Sequence, residues 1–391
     1  MTTDKAANQA PRMHYIDGLR AIAMLSVLLF HSYLYAGLNH LILPLGSNSI
    51  DLAWPLQFGH YGVNLFLLLS GFCLYWPFVK KGQRAEPTLA EYAYRRCRRI
   101  LPPYYMVLVI FGGLGFVQVL THFQIYHRSV DMQFVLGWLA WHVFMIHNLS
   151  PENVLALDAP LWSLALEFQL YVLFPLFVEA YRRWNKRAVL LVVLALCSLY
   201  RAGIPSVAVT DDAVDHFVLA SSVFGRCFEF ALGMYVADFL SKWPQQGKSP
   251  ISIWDCIFGA AVILAGIWRF DIFEDAAVGV VDAALVLAAS RVAGPVWHFL
   301  SHRYFVRTGI FSYSVYLIHQ PIIQAVGPRL MQYHLNTLVH WALVLGILLP
   351  SLIGLGYVYH LLFEKRFMSA PRKRASTVAQ VAKIPVEVST T

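Results

Sequence analysis

Arg20 and His31 are the two chemically capable side chains on the first long apolar segment, IDGLRAIAMLSVLLFHSYLYAG, and eleven positions separate them. On an α-helix that spacing is about 16.5 Å of rise and about 1100° of rotation, three turns to within roughly 20°. The two groups therefore share one face. Each costs about 2.5–3.5 kcal/mol near the centre of a bilayer, so an aligned pair calls for a role that offsets the cost. The reading is that something passes between the two along a common cavity. Asp17, three residues before Arg20, reads as the partner that orients the guanidinium.

Other polar groups fall at graded depths on later apolar segments. Glu167 lies six residues into its segment at the depth of His31, Asn64 lies near the same level, and His319 lies mid-segment beside Gln320 and Pro321. Arg226 and Glu229, one turn apart, read as an ion pair that is structural. A metal site at His298 and His302 lacks a third ligand, so no metal is expected. Arg95, Arg96, Arg98 and Arg99 place four guanidiniums in five positions. Such forks match phosphate oxygens, and either a nucleotide-bearing carrier or anionic lipid headgroups would satisfy them.

The elements that must hold these groups are membrane helices. Of 391 residues, 58 % are hydrophobic and 13 % charged, against about 25 % charged in soluble domains. Spans are predicted near 16–37, 59–79, 101–121, 161–181, 188–203, 216–240, 252–269, 276–290, 309–329 and 337–362, giving an all-α polytopic bundle of about ten transmembrane helices. The run at 134–149 is short and carries His142 and His147, so it reads as a re-entrant or interfacial segment. With both termini cytoplasmic, most of the 30 lysines and arginines fall on the inner side, including Lys80, Lys81, Arg84, Arg182, Arg183, Lys186 and Arg187. That bias obeys the positive-inside rule and argues against nucleic acid as the reason for a net charge of +8. The outer loops read as acidic, with Asp211, Asp212 and Asp215 in one and Asp271, Glu274 and Asp275 in another. The first span is too long for a cleaved signal and reads as an anchor. Residues 14–368 form the membrane domain, between tails at 1–13 and 369–391 expected to be disordered. The five cysteines show no paired framework and read as free thiols.

Six pieces in order resemble the acyltransferase-3 family of integral membrane acyltransferases: IDGLRAIAMLSVLLFH at 16–31, GVNLFLLLSGF at 62–72, YRRCRRILPPYY at 94–105, LWSLALEFQLYVLFP at 161–175, GRCFEFALGMYVAD at 225–238 and FSYSVYLIHQP at 311–321. The resemblance implies transfer of an acyl group, most commonly acetyl from acetyl-CoA, to a hydroxyl of a carbohydrate or small-molecule acceptor. It implies a multi-pass protein of the bacterial cytoplasmic membrane. Its Arg and His signature falls on Arg20 and His31, its arginine motif on Arg95, Arg96, Arg98 and Arg99, and its glutamate on Glu167.

Acyl transfer to an alcohol needs a base, relief for the thioester oxyanion and an aligned donor. On the resemblance, His31 is the base or a transient acyl carrier, its ordinary pKa of about 6.5 suiting proton transfer at neutral pH, and Glu167, at matching depth, orients or charge-stabilises the imidazole. Arg20 and the four arginines hold the donor, with Ser70 and Tyr316 beside them. Asn64, Trp162, Ser163 and His319 line the acceptor side.

Asn64 departs from the family pattern, which often has Asp there, so any negative charge that Asp supplies is either absent here or comes from elsewhere. Members acting on surface polysaccharide often carry an extracytoplasmic domain after the membrane unit. Here a separate extracytoplasmic protein, a homo-oligomer, or the unit alone in its lipid are all open. The rival from another class is a proton-coupled small-molecule transporter using the Arg20, His31 and Glu167 path. It would more often show repeated halves and interrupted helices, which the sequence lacks.

Overall fold

The computed structural model describes residues 13–39, 41–45, 48–80, 88–121, 132–156, 160–207, 213–243, 253–291 and 294–368. The tails at 1–12 and 369–391, together with Lys81, Arg84, Asp211 and Asp212, lie outside the described residues. The chain is a bundle of helices, as its apolar segments require when no water is available to satisfy backbone groups. In order these are α1 (His14–Tyr35), α2 (Gly62–Lys80), α3 (Leu89–Thr121), α4 (Met132–Val143), α5 (Leu161–Arg183), α6 (Lys186–Val207), α7 (Ala213–Ala220) and α8 (Val223–Lys242). There follow α9 (Ile253–Trp268), α10 (Phe270–Ala289), α11 (Pro295–Leu300), α12 (Arg303–Ile310), α13 (Ser312–Met331), α14 (Thr337–Leu343), α15 (Leu349–Tyr359) and α16 (Lys365–Met368).

Among the described residues seven helical stretches are long and apolar enough to cross a membrane: His14–Tyr35, Trp54–Lys80, Leu89–Val117, Leu161–Arg183, Lys186–Ile204, Ala213–Lys242 and Thr337–Met368. Each overlaps one of the ten predicted spans. The other three predicted spans are also helices, α9, α10 and α13. The 20-residue α13 carries buried His319 and Gln320 together with two prolines, a composition that suits the inside of a bundle better than a lipid face. Helix α4 has 12 residues, about 18 Å of rise and short of the roughly 30 Å of hydrocarbon. Its C-terminal end is held to α3, where Tyr104 donates to the His142 carbonyl at 3.0 Å and Tyr105 to that of Val143 at 3.1 Å.

Among the described residues one strand pair departs from the all-helical pattern, and it lies after α1. Ile42–Leu45 (β1) pairs antiparallel with Asn48–Asp51 (β2), and a 3-10 turn at Trp54–Tyr61 leads into α2.

The centre of the bundle is the contact of α2 with α8. A Cβ on Gly71 would strike the Phe230 carbonyl, and one on Gly233 would strike that of Leu68. The two backbones touch, the close approach that small residues permit between membrane helices. Around this seam pack Leu19 and Val27 of α1, Leu68 and Phe72 of α2, and Phe228 and Phe230 of α8, all at most 1 % exposed. A bundle so tightly joined fixes the side chains that α1, α2, α3, α5 and α13 send inward.

Candidate active site

Those inward side chains enclose a cavity of about 170 Å³. Arg20 enters from α1, Ser70 and Cys73 from α2, Arg96 and Arg99 from α3, Ser163, Glu167 and Tyr171 from α5, and Tyr316 from α13. Arg20 is held as its spacing predicts, Nη1 lying 3.3 Å from Asp17 Oδ1, while Nη2 donates to Cys73 Sγ at 3.3 Å. Of the four arginines on α3, Arg96 and Arg99 stand three residues apart on one face and both line the cavity. Arg95 is 57 % exposed and pairs with Glu91 at 3.7 Å, and Arg98 donates to the Arg366 carbonyl at 3.4 Å. Nε of Arg96 is buried without a hydrogen-bond partner. The charged groups of the cavity wall are thus three guanidiniums and one carboxylate, a lining suited to an anionic guest.

The carboxylate is Glu167, and its Oε1 accepts from both Ser70 Oγ and Tyr171 OH. Equal depth led to the expectation that Glu167 orients His31, and the structure gives it other partners. Depth follows from counting residues along a helix, whereas the direction in which a helix presents a side chain is set by its neighbours. Tyr171 was not singled out in the sequence, although its position four residues after Glu167 was the available signal.

The partner of His31 is His319. Their rings lie 4.9 Å apart, with His319 Nε2 3.2 Å from His31 Nδ1. His319 Nδ1 is 2.6 Å from the Tyr316 carbonyl, and His31 Nδ1 is 2.9 Å from that of Val27. Carbonyls only accept, so each Nδ1 carries a proton. Nε2 of His319 is then the acceptor facing His31, and Nε2 of His31 holds a lone pair. The two bonds thereby leave His31 in the tautomer that a base requires.

Arg20 lines the cavity and His31 does not, which corrects the expectation that one void joins them. Tyr316 and Ser163 line the cavity with their hydroxyls 2.6 Å apart and both within reach of the Pro160 carbonyl, at 3.2 and 3.0 Å. Tyr316 faces the cavity, and its carbonyl holds His319 one turn on. Tyr316 therefore links the arginine-lined cavity to the histidine pair, its ring 5.3 Å from that of His319.

The remaining predicted residues lie apart. Trp162 packs edge-on against Phe217, ring centres 5.2 Å apart. Asn64 donates to Asp275 Oδ1 at 2.9 Å. Asp275, read from the sequence as part of an acidic loop, instead belongs to α10, where its side chain is 14 % exposed between Arg201 and Arg226. The negative charge missing at position 64 is thus present one hydrogen bond away. Arg226 also pairs with Glu229 at 2.6 Å, as their spacing predicts. The five cysteines are free. Among the described residues no group of three or more His, Cys, Asp or Glu side chains is arranged to hold a metal.

Comparison with known proteins gives this geometry a lineage. Peptidoglycan O-acetyltransferase OatA of Listeria monocytogenes is 26 % identical over 337 residues, covering 81 % of this chain and 50 % of that protein. O-acetyltransferase OatA of Staphylococcus aureus is 25 % identical over 361 residues, covering 87 % and 55 %. Acyltransferase MdmB of Streptomyces mycarofaciens is 26 % identical over 328 residues, covering 77 % and 79 %. The chain spans about half the length of the OatA relatives. No solved structure matches it. The profile of the acyltransferase-3 family, described as an acyltransferase domain, matches residues 13–360, from the first turn of α1 to the end of α15, and the chain belongs to that family.

Proposed function

We propose that this protein is a membrane O-acyltransferase that moves an acyl group, acetyl by preference, from acyl-CoA to a hydroxyl of a carbohydrate acceptor. Both termini are cytoplasmic in this reading, and the membrane is the bacterial cytoplasmic membrane. Arg20, Arg96 and Arg99 meet the phosphates of the donor, whose thioester arm runs toward Tyr316 and Ser163. The observation that carries the reading is the His31 and His319 pair, fixed in its basic tautomer next to an arginine-lined cavity.

In this mechanism His31 Nε2 takes the proton of the acceptor hydroxyl as its oxygen attacks the thioester carbonyl. In this step the Tyr316 hydroxyl turns its proton from the Pro160 carbonyl to the developing oxyanion, while Ser163 donates to the Tyr316 oxygen. The tetrahedral intermediate collapses with loss of the CoA thiolate, which receives the proton from His31. His319 Nε2 accepts a hydrogen bond from His31 Nδ1–H throughout and steadies the imidazolium that forms on His31. The unlike charges of Glu167 and the arginines keep the donor channel wet and polar.

The test is transfer of labelled acetyl from acetyl-CoA to N-acetylglucosamine trimer by the full chain in nanodiscs. A positioned base contributes about 10²–10⁴-fold, so His31→Ala lowers kcat by that factor while the protein still inserts and binds acetyl-CoA. Wild-type turnover that persists in His31→Ala removes the histidine from the chemistry. Export of a small molecule without any need for acyl-CoA would replace the reading with transport.

A further inference from the structure

The 3-10 turn Trp54–Tyr61 lies directly on α1 in the turn before His31. A Cβ at Gly59 would strike the Ser26 carbonyl and press on Phe30, so the turn rests backbone against backbone. From it rises a surface of rings. Trp54 is 58 % and Phe58 39 % exposed, standing edge-on at 74° with ring centres 4.8 Å apart, so that they form two walls of a corner, and Phe58 lies nearly parallel to Tyr61 at 6.3 Å. The row continues through His60, 4.1 Å from Tyr61 and 5.2 Å from Phe30, and Phe30 is 5.2 Å from His31. A polar edge accompanies it. Tyr61 OH donates to Glu274 Oε1 at 2.5 Å, and His60 Nε2 lies 3.9 Å from the same oxygen, with His60 43 % and Glu274 22 % exposed.

Trp and Tyr also collect at membrane interfaces as anchors. An anchoring belt needs no carboxylate and imidazole at its edge, and it need not lead to a half-buried base. A pyranose ring needs this combination. Its axial C–H face stacks on a flat ring, and its hydroxyl rim seeks acceptors and donors such as a carboxylate and an imidazole. We propose that the surface formed by Trp54, Phe58 and Tyr61, edged by His60 and Glu274, seats a sugar ring of the acceptor and leads its hydroxyls toward His31. This rests on the acyltransferase reading above and adds the place where the carbohydrate binds.

The experiment is saturation-transfer NMR of N-acetylglucosamine trimer with the full chain in nanodiscs, beside steady-state acetyl transfer. Wild type transfers saturation to the trimer, Trp54→Ala and Glu274→Gln lose it, and Trp54→Phe keeps most of it. In turnover, Trp54→Ala raises KM for the trimer about tenfold, the size of one aromatic contact, with KM for acetyl-CoA unchanged. An unchanged acetyl-CoA KM also shows that the variant is folded. No saturation transfer to wild type overturns the proposal. So does a Trp54→Ala protein that binds the trimer normally but melts earlier or depends more on lipid, the mark of a membrane anchor. Trimer that binds at Trp54 but is never acetylated leaves the sugar seat standing and removes the acyltransferase reading instead.

Discussion

Around Asp275 two guanidiniums and two carboxylates from α6, α8 and α10 close on one another, whereas around the cavity three guanidiniums face one lining carboxylate already engaged by two hydroxyls. Among the described residues only Arg20 of the three has an acidic partner behind the wall, Asp17. In the first cluster Arg201, Arg226 and Glu229 have side chains at most 7 % exposed, and Asn64 completes the set. In the second, Arg20 is 24 % exposed and Arg96 and Arg99 line an open cavity. Both clusters are expensive to hold in a membrane bundle. The closed one offsets that cost internally, so it ties helices together. The open one is left to be completed from outside. Imbalance among charges, more than their burial, separates a site from a strut.

The sharpest way to break this comparison is to remove the shared carboxylate. Asp275→Asn keeps the shape but leaves two cations facing a single carboxylate, and breaking a buried pair costs about 3–5 kcal/mol. Thermal unfolding in mixed micelles reads the loss. Moving the charge rather than deleting it, with Asn64→Asp added, recovers more than half of it, because the carboxylate returns one hydrogen bond away from where it was. If Asp275→Asn melts like wild type and loses only turnover, the closed cluster is a site after all. The opposite behaviour is expected at the open cluster. Arg99→Ala removes charge-assisted bonds worth about 1.5–3 kcal/mol, which raises KM for acetyl-CoA about 10- to 150-fold while leaving the melting curve in place. An Arg99→Ala protein that fails to fold would make the open cluster structural.

How much of this was legible beforehand depended on whether a property is local. The common face of Arg20 and His31 follows from helical phase within one segment, as do the Asp17 contact and the Arg226 and Glu229 pair, and all three contacts or alignments are local to one helix. The seven long apolar stretches were legible for the same reason. The partners of Glu167 and His31 were not, because the rotation of one helix against another is decided by contacts such as Gly71 on Phe230, which no single segment contains. Asp275 was misread as a loop residue because its charge was weighed without Arg201 and Arg226, which arrive from α6 and α8. The hairpin at β1 and β2 escaped because strands of four residues give too few positions for a period of two to show.

The smallest expected effect bears hardest on what the arginine motif is for. A lipid-binding patch uses all four guanidiniums alike, since headgroups reach any exposed charge at the membrane surface. A cavity uses only the face that lines it. Arg96 and Arg99 line the cavity, whereas Arg95 is exposed and paired with Glu91, a contact worth about 0–1 kcal/mol. Arg95→Ala should therefore change KM for acetyl-CoA less than about fivefold, set against the far larger shift from Arg99→Ala on the same helix. Raising the salt concentration should erase even that remainder, because an exposed charge is screened within about 10 Å at 0.1 M. Equal losses from Arg95→Ala and Arg99→Ala, rescued alike by anionic lipid, would dissolve the distinction between the two faces of α3 and assign the whole motif to the membrane.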